Sequence, residues 1–158
     1  MPVAIIAVLI TAVAGLIGLL VREALRRRAD TEAHARKWEE TAARGLAGAR
    51  SVLEDTNPLR LVVGFSATET PAWVQRKIEE AEGTRGELGA VVAGHPYEST
   101  RNAASDLAKA LSQSLAATAI YVRSIADGHD SQTREQRAEE RHLAAVQAAD
   151  RMATQLNH

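Results

Sequence analysis

Cysteine is absent from this 158-residue chain. Its absence excludes a disulfide staple, a thiolate nucleophile, Cys-ligated zinc and an iron–sulfur cluster. It agrees with a reducing compartment without requiring one, since many exported proteins also lack cysteine. Aromatic residues make up 3% of the chain, which is low for a self-sufficient core. Lysine is scarce too, with three against 16 arginines. That usage, with abundant alanine, suggests a GC-rich genome such as that of an actinobacterium or its phage. No large charge excess exists, the formal net charge being −1. Nor is there a second long hydrophobic run after residue 21.

The single run that is present decides most of the reading. Val3 to Val21, VAIIAVLITAVAGLIGLLV, carries no charge. A bilayer core about 30 Å thick needs roughly 20 apolar residues of helix, and this run supplies them. A secretory signal would need a positive n-region and a shorter apolar core. Here only Met1 and Pro2 come before the run, and the basic residues Arg22, Arg26, Arg27, Arg28, Arg36 and Lys37 come after it. A retained single-pass anchor in the cell membrane is therefore expected. The positive-inside rule places its N-terminus outside and the rest of the chain in the cytoplasm.

Within that span, Ala7, Thr11, Ala14, Gly15 and Gly18 put small residues along one side. Such faces let helix backbones approach closely. No ionisable residue lies in the span, which argues against a proton relay by this helix alone. Arg22, Arg26, Arg27 and Arg28 read as a topology stop or as contacts to anionic lipid headgroups, worth about 1 kcal/mol per basic residue.

The rest of the chain predicts a mainly α fold. The anchor, 1–21, continues into a basic juxtamembrane and cytoplasmic helix, 22–57. Residues 22–56 contain no proline and are dominated by Ala, Arg, Glu and Leu, all good helix formers. Trp38, Ala42, Gly45, Ala49 and Val52 recur at helical spacing as a narrow small-residue stripe. Asn57-Pro58 should end the helix. Residues 58–97 read as short mixed elements and linker. Thr70 can N-cap a helix with Pro71 at its first position, and that helix is expected to stop at Gly83. The run from Gly83 through Gly86 to Gly89 reads as a flexible turn, and the apolar pieces 59–65 and 88–93 as short helical or extended segments.

Residues 98–158 predict an antiparallel helical hairpin. Leu107, Leu111, Leu115, Thr118, Val122 and Ile125 form one amphipathic stripe, and Ala138, His142, Ala145, Val146, Ala149, Met152 or Ala153, and Leu156 a second. Gly128 suits the position just past the first of these helices. Thr133 with Gln136 resembles a capping box.

Motifs for chemistry are wanting. The five histidines have neither an i, i+4 partner nor a His-Glu-x-x-His pattern. His142 fits a hydrogen-bonded interface residue better than a ligand. The Gly-rich stretch lacks the Gly-Lys-Ser/Thr end of a phosphate loop, and no Gly-x-Ser-x-Gly elbow occurs. Residues 58–158 show no basic, aromatic-bearing surface for nucleic acid. No cofactor, no metal, no nucleic acid and no small-molecule substrate are expected. Two classes remain: a non-catalytic accessory subunit docked on integral membrane protein subunits, or a self-associating membrane scaffold whose Trp38–Val52 stripe forms a coiled coil. The stripe is rich in Ala and Gly rather than Leu and Ile, which favours the first.

The start PVAIIAVLITAVAGLIGLLVREALRRR and the Ala/Arg-rich helical tail resemble small single-span accessory subunits of actinobacterial respiratory assemblies, particularly those around the cytochrome bcc–oxidase supercomplex. The resemblance is one of layout. It implies a chain that binds no haem or copper itself and serves the assembly, stability or placement of redox subunits.

Overall fold

The computed structural model describes residues 2–61, 70–129 and 131–157, with side chains described over 17–61, 72–129 and 131–157. Four α-helices follow in order: α1 (Pro2–Asp55), α2 (Thr70–Gly94), α3 (Glu98–Ala126) and α4 (Gln132–Leu156), with a 3-10 turn at Pro58–Arg60. No strand occurs among the described residues. The chain divides into two compact units, Met1–Arg36 and Lys37–His158.

The first unit is helix alone. Ion pairs one turn apart brace it, Arg27 with Glu23 at 3.0 Å and Arg28 with Glu32 at 3.1 Å. Among the described residues no helix is long and apolar enough to cross a membrane. The side chains of residues 3–16, which make up most of the uncharged run, lie outside those residues.

The second unit is an up-down-up-down bundle of the 37–55 stretch of α1 with the other three helices. The α1–α2 contacts run in opposite order along the two helices: Trp38 lies against Gly94, Gly45 against Leu88 and Gly48 against Thr84. At the far end Lys77 reaches Asp55. Arg50 pairs with Asp150 of α4 at 3.2 Å. Arg141 of α4 donates to Gln113 of α3 at 2.9 Å. The main core joins all four helices through residues such as Ala42, Ala49, Leu88, Leu107, Leu111 and Met152, each fully or almost fully buried. Alanine and glycine dominate the α1 seam, so the helices approach closely and few aromatics are needed.

The Trp38–Val52 stripe is thus spent inside the chain. Ala42 and Ala49 are wholly buried and Val52 is 3% exposed. A coiled coil with another molecule along this stripe would have to displace the chain's own helices.

Helix ends follow local chemistry. After α1, the Thr56 hydroxyl donates to the Val52 carbonyl at 2.7 Å. The Asn57 side chain then accepts from Leu59 N–H at 3.1 Å, and Pro58 opens the 3-10 turn. After α3, Gly128 takes φ +68°. Its N–H bonds to the Ile125 carbonyl and that of His129 to the Ser124 carbonyl, both at 3.0 Å. This is a Schellman closure, and it needs a residue that tolerates the left-handed region.

Two local expectations are corrected. First, α2 does not stop at Gly83; it continues to Gly94. Its buried face, Val74, Ile78, Ala81, Thr84, Leu88 and Val91, steps by three and four without interruption. Gly83, Gly86 and Gly89 lie on the exposed face, where packing does not need them. Tertiary burial outweighs their poor helix propensity of about 1 kcal/mol each. Second, Thr133 is not a cap. Helix α4 begins after Ser131, which makes no side-chain capping bond, and both Thr133 and Gln136 are exposed.

Candidate functional site

The first candidate surface is the end of the uncharged run. Ile17, Leu19, Leu20 and Val21 are exposed, from 52% at Val21 to 69% at Leu19, and Leu25 follows at 62%. At 100° per residue these side chains point to every side of the helix. Together they form an exposed apolar collar around the helix. Gly18 belongs to the collar, and a side chain built on it would meet nothing within 4 Å. The other expected helix-packing residues, Ala7, Thr11, Ala14 and Gly15, lie outside the described side chains.

Next to the collar stand the four arginines, all exposed. Arg27 and Arg28 are held by Glu23 and Glu32. Among the described residues Arg22 and Arg26 have no carboxylate partner. One turn apart, they form a short cationic ridge. The cluster therefore splits into two engaged guanidinium groups and two available to an anion; Glu23 is spaced to reach Arg26 or Arg27, and it pairs with Arg27.

In the second unit the polar groups are mostly structural. The Arg101 guanidinium donates to the carbonyls of His95 at 2.8 Å and Pro96 at 3.1 Å, tying the α2–α3 turn. The His95 ring nitrogen Nδ1 accepts from Tyr97 N–H at 3.2 Å. Burial pushes the Lys77 ammonium down, but its hydrogen bonds and charges from Asp55 and Glu80 outweigh this and hold it above its ordinary value. Burial, reinforced by Glu135, pushes the Tyr121 hydroxyl up. Among the described residues no group of three or more His, Asp or Glu is placed to hold a metal ion.

Two open clefts of similar size, each near 600 Å³, flank α4. One, of 590 Å³, runs between α1 and α4 beside Ala43, Leu46, Arg50 and Leu156. The other, of 600 Å³, lies over the 3-10 turn beside Pro58, Leu59, Glu139, His142 and Leu143. Neither gathers a nucleophile with a base.

His142 lies on the apolar stripe of α4 as expected. Its Nδ1 is buried without a partner, and so are the Ser114 and Thr118 hydroxyls of α3. Desolvation holds the His142 imidazole below its usual range.

No protein-family model, no curated protein and no solved structure matches this chain. Its function is therefore argued from its own residues.

Proposed function

We propose that this chain is a non-catalytic, single-span accessory subunit of a larger bacterial membrane complex. Its N-terminal helix docks in the bilayer, its bundle stands on the cytoplasmic face, and it aids the assembly or stability of integral membrane subunits. A respiratory assembly around a cytochrome oxidase supercomplex is the class its layout resembles. The observation that carries the reading is the all-round apolar collar Ile17–Val21 beside Arg22 and Arg26, which have no carboxylate partner among the described residues. Fully burying such a side chain is worth about 1.5–3 kcal/mol, and lipid covers every side of a helix at once. The arginines then meet anionic headgroups and hold the bundle inside.

The scaffold alternative is less well supported. Its proposed seam, Trp38 to Val52, is already covered by the chain's own α2–α4. The small-residue face Ala7, Thr11, Ala14, Gly15 and Gly18 then remains the surface for integral membrane partners.

Gly15→Leu tests this assignment. A bulky side chain where helix backbones approach costs about 1–3 kcal/mol, roughly a 5- to 150-fold loss of association. The accessory reading expects release of the chain from a larger complex on native gels in mild detergent, with Leu9→Ala nearly neutral. Loss of self-association alone would support the scaffold, and unchanged migration of Gly15→Leu would remove the docking face.

A further inference from the structure

The α3–α4 interface contains a polar layer that the proposed function does not use. Two contacts set its register. Arg141 meets Gln113, and Ala138 packs with Ala117 and Tyr121. His142 is therefore level with Ser114, and Thr118 is one turn further along α3, toward Ala138. All three carry a buried polar atom with no hydrogen-bond partner. Ser114 and Thr118 are wholly buried. Orphans of this kind are rare in native cores, and each carries a desolvation cost of about 1–3 kcal/mol.

Two apolar clusters also meet at this level of the hairpin. On one side is the main cluster, reaching Leu115 on α3 and Ala145 on α4. On the other is a small cluster of Ala117, Tyr121 and Ala138, with Ile125 against it. The small cluster closes the hairpin end and has little apolar area of its own.

We propose that His142 is a proton-operated release for the end of the α3–α4 hairpin: charging its ring separates the Ala117–Tyr121–Ala138 cluster while the main core stays folded. A charged imidazole in this layer finds no carboxylate on α3, which offers only Gln113, Ser114 and Thr118 at this level. The 3-10 turn contributes Asn57, Pro58 and Leu59, all uncharged. On α4 itself Glu139 and Glu140 line the open cleft with His142, while Nδ1 is sealed from solvent. In the charged ring both nitrogens carry a proton, so the Nδ1–H is left buried without an acceptor as the layer stands. Opening the hairpin end gives it water. Burial lowers the ring's proton affinity in the closed form, so the opened form binds more protons. Closure is intact above about pH 6.5 and weakens as pH falls below it. This inference stands independently of the membrane reading.

Hydrogen exchange of the full-length chain, corrected for intrinsic rates, tests it at about pH 7.5 and about pH 5.5. Protection of 117–126 and 132–138 is expected to fall about fivefold or more at the lower pH, with 104–111 and 145–152 little changed. His142→Gln and His142→Leu should each abolish the pH dependence. A loss of protection that persists in both variants would assign the effect to other groups, the Tyr121–Glu135 pair first, and overturn the proposal. So would equal protection at both pH values in the wild type. Should neither variant fold, NMR titration of the wild-type ring decides: a midpoint below about 6.5 that tracks the opening supports the release, and a midpoint at or above it contradicts it.

Discussion

Glycine acts in opposite ways at different positions of this bundle, and the difference is testable residue by residue. At Gly94 a Cβ would collide with the Trp38 ring, and a rigid indole yields poorly. Gly94→Ala should cost about 1–3 kcal/mol, read as a lower urea midpoint and a change in Trp38 emission. At Gly86 and Gly89 a Cβ would meet nothing within 4 Å. Each Gly→Ala change there should stabilise by about 0.4–1 kcal/mol by restricting the unfolded chain. A midpoint that falls instead would mean α2 does not run through this stretch. The same positions explain what could be read from sequence. Gly128 was recognisable because a helix closing on itself needs a residue with positive φ there. Gly83, Gly86 and Gly89 suggested a turn because glycine marks breaks as readily as it occupies an exposed helix face. The buried steps from Val74 to Val91 held the answer, and the glycines between them sit on the opposite, exposed face.

Among the elements, the helical hairpin was the most legible, because its two stripes repeat cleanly and its turn is short. The partnership of α1 was not. An Ala/Gly stripe indicates close approach without saying to which helix, and the positions that answer, Thr84 and Leu88, lie in the stretch that looked like linker. The polar layer was half legible. His142 stood out on an apolar stripe, but Ser114 and Thr118 acquire meaning only once α3 and α4 are in register. A different contact joins α1 to the start of α2. Lys77, its side chain 12% exposed, sits 2.8 Å from Asp55 and 2.7 Å from Glu80. Both carboxylates are substantially exposed, so the bridge is discounted for solvent screening. Lys77→Met keeps the stem and removes the charge; it should cost about 1 kcal/mol or less, shrinking in about 1 M salt. Because the folded ammonium holds its proton more tightly, this contribution persists at neutral pH and is lost only as alkaline pH passes the raised value. A cost that ignores salt would indicate lost packing instead.

At the scale of the molecule, the two units present different surfaces. Residues 37–158 bury their stripes against one another and close on a shared core. The first unit ends its apolar run in an exposed collar and a split arginine cluster. Replacing Arg22 and Arg26 together with Gln should weaken binding to anionic vesicles more than replacing Arg27 and Arg28, whose charges are partly engaged by Glu23 and Glu32. Equal losses would mean that the helical ion pairs leave all four equally available. The central claim is attachment to a larger membrane assembly. Purification of the full-length chain from its native membranes in mild detergent, with mass and composition determined together, tests it most directly. Co-purification with larger integral membrane subunits at a fixed ratio is expected; recovery in the soluble fraction, or alone as a monomer or homo-oligomer, would contradict attachment.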